Sequence, residues 1–84
     1  MAGTVHTDAY RALLSALVQA RQDAGLSQAD LANYLRKPPS FVGKYELGER
    51  RLDVIELLVI LKILGVDTKK FVADLAPNLP ADLG

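Results

Sequence analysis

Apolar residues recur along this chain at steps of three and four, and the runs are cut by glycines, prolines and capping residues. Tyr10, Leu13, Leu14, Leu17, Val18 and Arg21 form one stripe. It predicts a helix over residues 8–24, opened by Thr7 or Asp8 and closed at Gly25. A second helix is expected from Ser27 to about Leu35. Ser27 with Asp30 three residues on has the form of a capping box, Leu26 and Leu31 can staple its start, and Pro38 biases Lys37 away from helical geometry. A third helix, residues 40–47, opens at Pro39 or Ser40, where a missing backbone donor costs nothing. It turns Val42 and Tyr45 inward and stops at Gly48. Asp53 with Glu56 makes a second capping box for a fourth helix ending at Gly65. A short fifth helix over residues 67–75 is stopped by Pro77.

This pattern is all-α and fits one small domain of residues 8–76, between a disordered leader of residues 1–7 and a flexible tail of residues 77–84. The second and third helices are short and joined by a tight connection. That is how a chain builds a helix-turn-helix, which presents its second helix to the major groove of DNA. A left-handed backbone at Arg36 would be costly, so the turn is expected to be wide and set by Pro38 and Pro39. Gly43 stands in the middle of the third helix, at a cost of about 1 kcal/mol against alanine.

Charge sharpens the picture. The 84 residues carry ten basic and ten acidic side chains. Arg36, Lys37, Lys44, Arg50 and Arg51 stand against only Glu46 and Glu49 between residues 36 and 51, so this segment is net +3 and the remainder −3. The positive pole coincides with the helix-turn-helix. There is no cysteine, which excludes disulfides and thiolate metal sites. The start lacks a signal peptide, and the apolar run of residues 54–66 is too short to span a bilayer, so a cytoplasmic protein without membrane contact is expected. No serine has a base beside it, no carboxylates are spaced for acid–base work, and neither a cofactor nor an enzymatic role is expected.

The runs Arg21-x-x-x-Gly25-Leu26-Ser27-Gln28-x-x-Leu31-Ala32 and Ser40-Phe41-Val42-x-Lys44-Tyr45-Glu46-x-Gly48-Glu49-Arg50, with Leu64-Gly65-Val66, resemble the Cro/repressor-type helix-turn-helix family, also called the XRE family. The resemblance spans roughly residues 14–75. It implies a five-helix, lambda-repressor-like DNA-binding domain whose helices 2 and 3 form the motif and whose residues 40–47 form the recognition helix. By position, Pro39, Ser40, Phe41, Gly43 and Lys44 would reach base edges. Lys44 can donate to guanine and Ser40 can donate or accept, and Phe41 can pack on a thymine methyl. Gln28 matches a phosphate-contacting glutamine, and Arg36, Lys37 and Arg50 would be further phosphate contacts. The family pattern also pairs the positions of Arg21 and Glu46 as a buried ion pair. Arg21 continues an apolar stripe, so its charge needs a partner.

The fourth helix holds more apolar residues than one core needs. Val54, Leu57, Leu58, Leu61 and Leu64 suffice for the interior. Ile55, Val59 and Ile63 fall on another face, which is covered by the fifth helix through Phe71 and Val72, or by the tail, or else forms, with Phe71, a homodimer interface. The first reading is a repressor-like, sequence-specific transcriptional regulator that binds operator DNA as a homodimer. The alternative is a protein–protein interaction module of the same fold, an antitoxin, antirepressor or regulator partner, using the apolar face of helix 4.

Overall fold

The computed structural model describes residues 7–83. The chain runs α1 (Asp8–Asp23), α2 (Gln28–Leu35), α3 (Ser40–Glu46), α4 (Val54–Leu64) and α5 (Thr68–Leu75), followed by a 3-10 turn over Ala76–Asn78. Residues 1–6 of the expected leader and Gly84 of the expected tail lie outside the described residues. Thr7 is the N-cap of α1 and accepts from the Tyr10 amide at 3.2 Å. The 3-10 turn lies against α1 and α5, so the first residues expected in the tail pack on the helices.

Local chemistry sets the helix ends. Ser27 accepts from the Asp30 amide while the Asp30 carboxylate accepts from the Ser27 amide, both at 3.0 Å. Asp53 and Glu56 close the same reciprocal box at the start of α4. Each box satisfies two backbone donors that a helix start otherwise leaves unpaired. The backbone amide of Ser27, with its hydroxyl, also holds the Asp30 carboxyl below its ordinary range.

The turn between α2 and α3 departs from the sequence expectation. Arg36 takes the left-handed conformation, with φ 58° and ψ 44°, as the only non-glycine with positive φ among the described residues. Its amide donates to the Asn33 carbonyl and the Lys37 amide to that of Ala32, both at 3.0 Å. Those two bonds satisfy carbonyls at the end of α2 and repay the backbone conformation. The turn is therefore tight, and Pro38 and Pro39 follow it.

The core gathers Leu14 and Leu17 of α1, Leu31 and Ala32 of α2, Phe41, Val42 and Tyr45 of α3, Ile60 and Leu61 of α4, and Phe71 of α5. Tyr45 is fully buried and its hydroxyl meets no hydrogen-bond partner among the described residues. Burial pushes its phenol well above the ordinary value. The Tyr10 hydroxyl accepts from the Leu52 amide at 3.3 Å, tying α1 to the loop before α4, and the Arg51 guanidinium lies 4.9 Å over the Tyr10 ring.

The faces of α4 are rotated from the expectation. Leu57, Ile60, Leu61 and Leu64 turn inward, while Val54 and Leu58, expected inside, are exposed. Ile55 and Val59 are exposed, at 68% and 43%, so neither the fifth helix nor the tail covers them. Ile63 is half-buried against the core, and Phe71, expected at an interface between copies, is only 8% exposed inside it. In a helix reading Val-Ile-Glu-Leu-Leu-Val-Ile-Leu-Lys-Ile-Leu, apolar side chains stand nearly all round. Packing against α2 and α5 selects the inward face.

Candidate nucleic-acid interface

The inward side of α3 is committed to the core. Phe41, Val42 and Tyr45 are buried, and the Phe41 and Tyr45 rings meet edge to face at 5.8 Å. Glu46, the last residue of α3, is anchored to α1: Arg21 Nε donates to Glu46 Oε2 at 2.8 Å and Nη2 to Oε1 at 3.2 Å. Arg21 Nη1 also donates to the Leu26 carbonyl at 2.9 Å. Only 12% and 6% of the two side chains is exposed. Bidentate geometry, with the third guanidinium nitrogen also engaged, is what a mostly buried pair requires. The hydrogen bond to Glu46 raises the Arg21 pKa above its already high ordinary value, so the guanidinium stays charged.

With that side fixed, α3 presents Ser40, Gly43, Lys44 and Leu47 outward; Ser40, Lys44 and Leu47 are exposed and Gly43 half-buried. The preceding turn adds Arg36, Lys37 and Pro39, all exposed. The Gln28 amide joins this face from the first turn of α2, donating through Nε2 to Glu46 Oε1 at 2.8 Å. Among these residues Arg36, Lys37 and Lys44 carry positive charge; Gln28 reaches the outward face of α3 at Gly43, whereas Lys37 lies toward the Phe41 ring and, with Ile55 and Val59, lines a hollow beside α4.

Two residues expected at a DNA surface are placed elsewhere. Phe41 is buried, 8% exposed, under two cations: the Arg50 guanidinium stands 4.7 Å from its ring centroid and Lys37 Nζ 5.5 Å. It cannot offer a free ring to a thymine methyl. Arg50 is engaged internally, its Nη1 donating to Glu56 Oε1 at 3.0 Å and to the Arg51 carbonyl at 2.8 Å, and its Nη2 to Glu56 Oε2 at 2.7 Å. The hydrogen bond to Arg50 holds the Glu56 carboxyl at about 2. Arg50 is therefore a clamp between the α3–α4 loop and the first turn of α4, with its charge already paired.

Leu47 is the surface residue the sequence reading passed over. It is 71% exposed, one turn beyond Gly43 and Lys44; its spacing from Ser40 and Lys44 is the signal that places it on the outward stripe. Among the described residues no cluster of His, Cys, Asp or Glu is arranged for a metal, and no helix is long and apolar enough to cross a membrane.

Comparison with known proteins agrees with this geometry. The helix-turn-helix family matches residues 17–71. A solved structure of an XRE-family like protein from Pseudomonas syringae pv. tomato is 42% identical, covers 94% of this chain and 96% of its own, and superposes with a TM-score of 0.82. The HTH-type transcriptional regulator RamB of Mycobacterium tuberculosis, in strains CDC 1551 and H37Rv, is 38% identical over 65 residues, 77% of this chain. The chain spans 14% of that relative's length. A five-helix architecture with the motif at α2 and α3, the matched family span and the close structural relative together establish that this chain belongs to the XRE-type helix-turn-helix family.

Proposed function

We propose that this chain is a sequence-specific DNA-binding transcriptional regulator of repressor type, inserting α3 into the major groove of an operator. The observation that carries this reading is the division of α3. Its inner residues and terminal carboxylate are locked into the domain, while Ser40 and Lys44 stand free beside the cationic α2–α3 turn. Lys44 and Ser40 supply donors for base edges, and Arg36 and Lys37 supply charge for flanking phosphates.

Homodimerisation completes the reading. Val54, Ile55, Leu58 and Val59 form an exposed apolar strip on α4. Asp53 stands before the first turn of that helix and Lys62 in its last. Two copies crossing antiparallel at Leu58 therefore set each Lys62 beside the other copy's Asp53, a self-complementary contact of the kind two-fold symmetry needs. Such a dimer reads a palindrome with half-sites about 34 Å apart.

The test is selection of genomic fragments by the purified protein, repeated with Lys44→Ala. Enrichment of a palindromic sequence, lost in the variant, is expected, with affinity falling steeply between low and moderate salt. Absence of any enriched sequence, with binding indifferent to salt, overturns the proposal.

A further inference from the structure

A hollow of about 180 Å³ opens beside α4, where the end of α2 and the start of α3 meet it. Its apolar walls are Leu35, Phe41, Ile55, Val59 and Ile60. A cavity of about 150 Å³ accepts a benzene ring, so this hollow has room for one large apolar side chain.

Three charged groups border it, and one of them is already spent. Glu56 accepts from Arg50 through both oxygens and from the Asp53 amide through Oε1. Asp53 gives Oδ1 to the Glu56 amide at 2.7 Å, which leaves Oδ2 as an acceptor. Lys37 Nζ stands 5.5 Å from the centre of the Phe41 ring, and no carboxylate among the described residues takes its donors. Lys37 and Asp53 lie at the same end of the hollow, for the Lys37 charge bears on the Glu56 carboxyl and the Asp53 amide is bonded to it. The hollow therefore offers an apolar interior with an unspent cation and an unspent carboxylate oxygen at one end. A fatty acid would suit Lys37 and be repelled by Asp53; an alkylamine would do the reverse. An apolar α-amino acid suits both, because it too carries its two charges at one end of an apolar group.

We propose that this hollow is a site for a free apolar α-amino acid of the size of leucine or phenylalanine. The side chain lies against Phe41 and Val59, the carboxylate on Lys37 and the ammonium on Asp53. The consequence of binding rests on the DNA-binding reading above: Lys37 gives its charge to the ligand, and the α2–α3 turn loses a cation for phosphate. The amino acid is then an effector that weakens DNA binding.

The probe is L-leucine, followed in nitrogen–proton correlation spectra of the protein without DNA. Saturable shifts at the amides of Lys37, Phe41 and Ile55 are expected, with half-saturation at about 1 mM. Isocaproate, which lacks the ammonium, and isoamylamine, which lacks the carboxylate, should each bind about five-fold more weakly. Lys37→Met and Asp53→Asn should lower leucine affinity to a similar extent; asparagine still caps α4, so that variant keeps the fold. Equal binding of all three compounds, or shifts that do not saturate, overturns the site. If dilution without leucine moves the Lys37 and Phe41 amides, a second copy fills the hollow and the site falls as well. In DNA titrations at low salt, leucine should lower affinity several-fold for the parent and leave Lys37→Met unaffected. Unchanged DNA affinity at saturating leucine overturns the effector role and leaves the DNA reading intact.

Discussion

Arg21 of α1 and Glu46 of α3 meet through two hydrogen bonds, at 2.8 and 3.2 Å, in a contact from which water is largely excluded. The pair fixes the end of α3 against α1, and the same carboxylate holds Gln28. Removing the cation strands a mostly buried carboxylate. Arg21→Ala is therefore expected to lower unfolding stability by about 3–5 kcal/mol. Urea titration checks this; a loss below about 1 kcal/mol means that the pair carries little of the fold.

The Arg50–Glu56 clamp gives the protein an acid-sensitive contact. Glu56 titrates near 2 in the folded chain against an ordinary 4.5, first because Arg50 donates to it and then because the Asp53 amide does. A depressed carboxyl stabilises the folded state above its unfolded pKa, and that contribution fades as pH falls from about 4.5 toward 2. Arg50→Ala should remove part of this fade, so that its stability declines less than the parent's over that window. Denaturant midpoints measured at several pH values between 6 and 2.5 decide it; parallel profiles exclude the clamp as the source.

Arg36 holds a backbone conformation that costs an ordinary side chain about 1–2 kcal/mol. Glycine relieves it but gives the unfolded chain more freedom to lose. Arg36→Gly should accordingly raise stability by about 0.5–1 kcal/mol, seen as a higher thermal midpoint. In salt-dependent DNA titrations the same variant should bind more weakly at low salt, because one cation has left the turn.

The exposed strip on α4 predicts self-association. Val59→Glu places a charge at the middle of an apolar contact, where it has no partner. In sedimentation the parent should run as a dimer at micromolar concentration and Val59→Glu as a monomer. A monomeric parent removes the homodimer and leaves the strip to a protein partner.

Most of the helix boundaries were legible because capping is local. Thr7, Ser27 with Asp30, and Asp53 with Glu56 all act within three residues, and Gly25, Gly48 and Gly65 take the left-handed stops. What escaped depends on contacts between elements. Phe41 was placed at the DNA surface because its position in α3 resembles that of an outward residue, but Arg50 folds back over its ring. Arg50 itself was read as a free cation, although its carboxylate partner lies six residues on in the next helix. The orientation of α4 differs from the expectation by part of a turn, since an almost wholly apolar helix carries no polar face to mark the outside. At Arg36, steric cost argues against the left-handed backbone, but the two carbonyls of α2 that this turn satisfies outweigh it.

The division of α3 has an evolutionary consequence. Phe41, Val42, Tyr45 and Glu46 are spoken for by the interior, while Ser40, Gly43 and Lys44, with Gln28 across from them, hold up little of the domain. Scaffold and outward face are thereby separated within a single seven-residue helix. Substitutions can accumulate at those outward places without unfolding the domain. A combinatorial library confined to the same places should yield folded members at high frequency.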